Sequence, residues 1–86
     1  MVIIGIDPHK ASHTAAALDS AAQPLGDIRV QANKAMLAKL LAWAAGWPER
    51  TWAIEGAHGL GRLLAQQLAA TGETVVDVPA TLAART

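Results

Sequence analysis

The chain opens on an unbroken apolar run, Val2-Ile-Ile-Gly-Ile6, that ends in a carboxylate at Asp7. A short run without alternation suits a strand buried on both faces. Pro8 to Ser12 reads as a hairpin connection, and His13 to Asp19 as the returning strand. Ser20-Ala-Ala-Gln-Pro24 supplies a second turn. Leu25 to Gln31 keeps period-two alternation only in part and is predicted as a third strand. These three strands form an antiparallel meander.

From Asn33 the period changes. Met36, Leu37, Leu40, Leu41 and Ala44 recur at i, i+3, i+4 spacing, which places them on one buried helical face. Asn33 is a plausible N-cap, and Gly46 and Pro48 stop the helix after about Ala45. Thr51-Trp-Ala-Ile-Glu55 is a short strand, again ending in a carboxylate. Gly56 to Gly61 is a glycine-rich bend. A second helix runs to about Ala70, expected to bury Leu60, Leu63, Leu64 and Leu68, with Gly72 as its C-cap. Thr74 to Val78 is the last strand, and Pro79 ends it.

The predicted order is β-β-β-α-β-α-β, an α/β class with a mixed sheet. Its last three elements make a βαβ unit, whose strands should be parallel and joined by a right-handed crossover. No repeat, linker or low-complexity tract divides the chain, so residues 1–86 read as a single domain.

Composition narrows the chemistry. Hydrophobic residues make up 52% of the chain and charged ones 16%, which is globular rather than disordered. Much of the apolar share is alanine, and the only aromatics are three Trp, so the core must be largely aliphatic. With no cysteine, disulfides and thiolate metal sites are excluded. The apolar start is too short for a signal peptide, and no stretch approaches the roughly 18 residues of a membrane span, so a cytoplasmic location is expected. Net charge is zero, with Lys10, Arg29, Lys34, Lys39, Arg50, Arg62 and Arg85 scattered. A protein that grips nucleic acid by bulk charge shows a basic stripe instead.

Asp7 and Glu55 are the residues around which chemistry can be built. Each ends an apolar strand, and ligands of open α/β sheets gather at the carboxyl ends of parallel strands. If the two strands are neighbours, their backbones lie ~4.8 Å apart. Both carboxylates then reach one divalent cation, and magnesium favours such hard oxygen ligands. Strand-end carboxylates are also common as plain turn residues. His9 and His13 are four apart, a zinc spacing on a helix, but Pro8 and the hairpin argue against a helix there. His58 in the glycine bend and Lys10 near Asp7 are candidate phosphate contacts, each with a solvated side chain as the plainer account. Gly56-Ala-His-Gly-Leu-Gly61 has the spacing GxxGxG, not the GxGxxG of a dinucleotide loop. Its glycines allow a sharp turn before a helix N-terminus.

Gly5-Ile-Asp-Pro-His-Lys10, Trp52-Ala-Ile-Glu-Gly-Ala-His-Gly-Leu-Gly61 and Val76-Asp-Val-Pro79, in this order, resemble the N-terminal domain of DEDD transposases of the insertion sequence 110 group. The resemblance spans Val2 to Arg85. It implies an RNase H-like fold of the RuvC type, with the first strand central and the fourth parallel beside it. It also implies Asp7 as the first D and Glu55 as the E of a divalent-metal site. Magnesium or manganese would be bound only in the complete site. The family recombines DNA with this acidic site and a separate C-terminal domain carrying a serine nucleophile, and some members are guided by an RNA encoded in the element. DNA and, for such members, a guide RNA are therefore the implied partners of the full-length protein. The last two aspartates belong to a later segment that the sequence does not reach. Asp77 falls before that segment and is not matched to either. The expectation is thus an N-terminal fragment that does not cleave DNA alone. Two helices should cover one sheet face and leave the other open to self-association.

Two other readings are available from the residues. A fragment of an actin-like phosphotransferase also starts with an Ile-rich strand ending in Asp. There Gly-Thr or Gly-Ser usually follows, whereas Pro8-His9 follows here. A non-catalytic interaction module could keep the same fold with neither site.

Overall fold

Seven elements appear in the predicted order: β1 (Val2–Pro8), β2 (Ser12–Leu18), β3 (Pro24–Gln31), α1 (Met36–Ala44), β4 (Arg50–Glu55), α2 (Arg62–Ala70) and β5 (Val75–Val78). The computed structural model describes residues 1–79, and the final part of the expected domain, residues 80–86, lies outside the described residues. The strands form one sheet in the order β3-β2-β1-β4-β5. β1 pairs antiparallel with β2, and β2 with β3, while β1–β4 and β4–β5 are parallel. Three antiparallel strands followed by parallel ones, with β1 at the centre, make this an RNase H-like arrangement.

β1 is buried on one face, where the sequence suggested two. Ile4 and Ile6 are buried, whereas Ile3, Gly5 and Asp7 are exposed. The cause is the placement of the helices. Met36, Leu40 and Ala44 of α1 and Leu64 and Leu68 of α2 join Ile4, Ile6, Ala15, Ala17, Val30, Trp52 and Ile54 in a single core. Both helices therefore pack on the same face of the sheet. The opposite face carries Ile3, Leu18 and Val76 at 40%, 36% and 45% exposure. Its remaining positions include Thr14, Ala16 and Ala53, so it is only patchily apolar.

Several boundaries shift for local reasons. α1 begins at Met36 rather than just after Asn33, with Ala35 at the cap position and no side-chain cap bond. The Asn33 side chain instead accepts the Ala35 N–H at 2.9 Å, closing a turn ahead of the helix. Asp19 leaves β2 and accepts the N–H groups of Ala21 and Gln23 in the next turn. Leu60 and Leu63, expected in the core, are 57% and 60% exposed. Residues 56–61 are turn rather than helix, so Leu60 precedes α2, and Leu63 lies beside rather than on its buried Leu64–Leu68 stripe.

Gly61 explains how α2 starts so close to β4. A Cβ there would meet Ile54 Cγ2 at 2.6 Å. Only glycine lets the helix N-terminus sit against this strand without displacing a fully buried isoleucine. Gly56, at φ +62°, turns the chain sharply out of β4. Trp52 fills the centre of the core with no exposure, and its indole N–H donates to Glu73 at 2.7 Å, so the buried polar end of the ring is satisfied.

Candidate metal and nucleic-acid site

Parallel pairing of β1 with β4 aligns Ile3 with Thr51, Ile4 with Trp52 and Ile6 with Ile54. Asp7 and Glu55 are the next residues on each strand. They stand side by side at the carboxyl ends of adjacent strands, ~4.8 Å apart in backbone spacing. Alternation decides the face. Ile6 and Ile54 point into the core, so Asp7 and Glu55 project from the open side. Antiparallel pairing adds Thr14 opposite Asp7. Asp7, Thr14 and Glu55 line one shallow groove of about 290 Å³, floored by Gly5, Ala16 and Ala53. The floor residues are small, which leaves room above the strands.

The Asp7 side chain is 61% exposed and has the His9 Nε2 3.3 Å from its Oδ2. The sequence suggested His9 only as a zinc partner for His13. The hairpin instead folds it back over the strand end. Thr14 was also not singled out. Its place follows from the hairpin register, which a short Pro-containing turn does not reveal in advance.

The other candidates lie elsewhere. Lys10 lines a cavity between the β1–β2 hairpin and the two helices, with His13 beside it. His58 is 91% exposed at its side chain and stands 3.7 Å from Asp77 Oδ2, next to a cleft between α2 and β5. Asp77 also accepts the Ala57 N–H at 2.9 Å, so it braces the bend after β4. His13 is 4% exposed, with Nδ1 lacking a partner. Burial, and secondarily the nearby His9, holds its imidazole below the ordinary histidine range, so it is neutral at pH 7.

Carboxylate oxygens are the donors that magnesium or manganese prefers, so Asp7 and Glu55 fit such an ion chemically. They are a partial set: no group of three or more His, Asp or Glu side chains able to hold a metal forms among the described residues. A family model described as "Transposase", that of the DEDD transposases of the insertion sequence 110 group, matches residues 4–86. The chain belongs to this family. No curated protein matches it significantly. Transposases of this family act on DNA and use a divalent metal, and the match favours this reading over the phosphotransferase alternative. None of the helices among the described residues is long and apolar enough to cross a membrane.

Proposed function

We propose that this chain is the N-terminal part of a DNA-recombining transposase, in which Asp7 and Glu55 contribute the first D and the E of the catalytic divalent-metal site. One observation carries the reading: both carboxylates end adjacent parallel strands on one face and line one groove. When bound there, magnesium or manganese polarises a phosphodiester and lowers the pKa of an attacking water or hydroxyl. The chain's own residues orient that ion. Asp7 and Glu55 supply two anionic ligands, and His9, 3.3 Å from Asp7, pairs with that carboxylate while no metal is bound. Lys10 and His58 are phosphate contacts away from the scissile bond, since both line other cavities.

Residues 1–86 on this reading form one incomplete RNase H-like domain, and the remaining aspartates come from another segment. The chain alone is expected not to cleave DNA. Incubation of supercoiled plasmid with the purified chain and Mg²⁺ or Mn²⁺ tests this; robust metal-dependent nicking abolished by Asp7→Asn would overturn it. Metal binding by the acidic pair is tested separately by Mn²⁺ titration. DNA, and a guide RNA where the element encodes one, engage the full-length protein.

The open sheet face, with Ile3, Leu18 and Val76 exposed, supports self-association of the isolated chain. Light scattering across a concentration series is expected to show growth in mass. A constant monomer mass at the highest concentration would argue against it.

A further inference from the structure

β3 lies at one end of the sheet, and among the described residues no strand pairs with its outer side. Such an edge presents a row of backbone N–H and C=O groups to another chain. The β2–β3 ladder decides which residues present them. The Ala32 N–H donates to the Ala11 carbonyl at 2.9 Å, and Ser12 lies opposite Gln31. Hydrogen-bonded and non-hydrogen-bonded pairs alternate along an antiparallel ladder. Gly26, Ile28 and Val30 therefore turn their backbone groups toward β2, whereas Leu25, Asp27, Arg29 and Gln31 turn theirs outward. The outward residues also carry exposed side chains.

Two copies of this edge pair antiparallel only with outward residues opposite outward residues. Registers that overlap most of β3 are centred on Asp27, Ile28 or Arg29. The first sets the Asp27 carboxylates against each other, and the last does the same to the Arg29 guanidiniums. Centring on Ile28 sets Asp27 opposite the partner's Arg29 and Arg29 opposite the partner's Asp27. Opposite charges facing across strands are favourable, and like charges are not. Edge charges usually deter pairing; here they deter the neighbouring registers and favour one. The Arg29 Nε now donates to Ser12 Oγ at 3.2 Å, a neutral acceptor that a facing carboxylate outcompetes. On the helix side, a Cβ at Gly26 would lie 3.8 Å from both Trp43 and Trp47, so these half-buried rings stand over the edge strand. Aromatic surface of this kind commonly anchors interfaces.

We propose that the chain forms a two-fold homodimer by antiparallel pairing of β3 with β3, which continues the sheet through both copies. Each copy has a single β3 edge, so the assembly closes at the dimer. The pairing is independent of the Asp7–Glu55 groove and of association through the open sheet face.

Sedimentation equilibrium of the chain tests it, and the wild type should show a discrete dimer at about 100 µM. Asp27→Arg alone, or Arg29→Asp alone, places like charges at both cross-strand contacts. Each should weaken dimerisation at least about tenfold. An equimolar mixture of the two variants should restore the dimer, since each supplies the charge the other lacks. Val76→Lys, on the open face, should leave the dimer intact. Amide exchange of the wild type needs no variant: Asp27 and Arg29 N–H groups should slow as concentration rises. A monomeric wild type, dimers undiminished in both β3 variants, or a mixture that stays monomeric would overturn the proposal. Association lost in Val76→Lys and kept in the β3 variants would assign it to the open face instead.

Discussion

Arg50→Ala is expected to destabilise the chain by about 3 kcal/mol, the low end for breaking a buried ion pair. The guanidinium donates to Glu73 through Nε at 2.8 Å and Nη2 at 3.1 Å, and through Nη1 to the carbonyls of Ala44 and Trp47 at 3.1 Å each. The two side chains are 16% and 17% exposed, so water screens the pair weakly. Glu73 also accepts the Trp52 indole N–H. The pair thus ties the start of β4, the end of α1, the α2–β5 turn and the core tryptophan. Loss of the Arg50 side chain leaves the largely buried Glu73 carboxylate with the Trp52 indole but no counter-ion, and takes a donor from the carbonyls of Ala44 and Trp47. A chain of this length has about 4–13 kcal/mol of stability in all, so the melting temperature should fall by roughly 10–20 °C. Exposed Lys39→Ala serves as the control, expected within about 0.5 kcal/mol of the parent.

The same pair sets a pH dependence. Hydrogen bonding from Arg50 holds the Glu73 carboxyl below its ordinary range, against the opposing effect of burial and with help from Trp52 and the Arg50 charge. A carboxyl whose folded pKa is depressed contributes stability above its unfolded pKa and loses it as pH falls through the folded value. The gap in melting temperature between wild type and Arg50→Ala should therefore be full at pH 7 and shrink toward pH 2. Thermal denaturation across that range measures it. An unchanged gap would show that the bridge is not the source of the stability.

Mn²⁺ is expected to bind the wild-type chain weakly, near about 1 mM, because the site offers only two carboxylates. Asp7→Asn or Glu55→Gln should each cost at least about tenfold, and the double variant should abolish saturable binding. Both substitutions keep size and shape while removing charge, so fold and ligation separate cleanly. His9→Ala should not weaken binding, since His9 and a metal compete for Asp7 at 3.3 Å. Asp77→Asn should also leave it intact, because that carboxylate faces the helix side, held by Ala57 and near His58. Calorimetry and the metal-induced rise in melting temperature provide independent readouts. Undiminished Mn²⁺ binding in the Asp7, Glu55 double variant would remove the acidic pair from the proposed mechanism.

The element order and the positions of both carboxylates were legible in the sequence because they rest on local chemistry. β-Branched runs make strands, a 3.6-residue period makes α1, and Gly72 at φ +91° stops α2 where its backbone freedom is needed. Asp7 and Glu55 end strands whatever the sheet order. Missed were features that depend on partners far away in the chain. Arg50 and Glu73 are 23 residues apart and meet only after α2 returns the chain along β4. Leu60 and Leu63 follow an apolar pattern, yet the turn at residues 56–61 rotates them out of the core. His9 beside Asp7 requires the hairpin to fold back.

By itself the sequence determined which segments become strands and helices, and that each of two central strands carries an acid at its tip, since backbone preference and hydrophobic period act over a few residues. The expectation that both helices cover one face agrees with the structure, but only the tertiary structure decided that those tips share the open face and that a lysine-edged cavity opens between hairpin and helices. Strand order and side-chain alternation across the sheet are long-range choices, settled by which faces can be buried together.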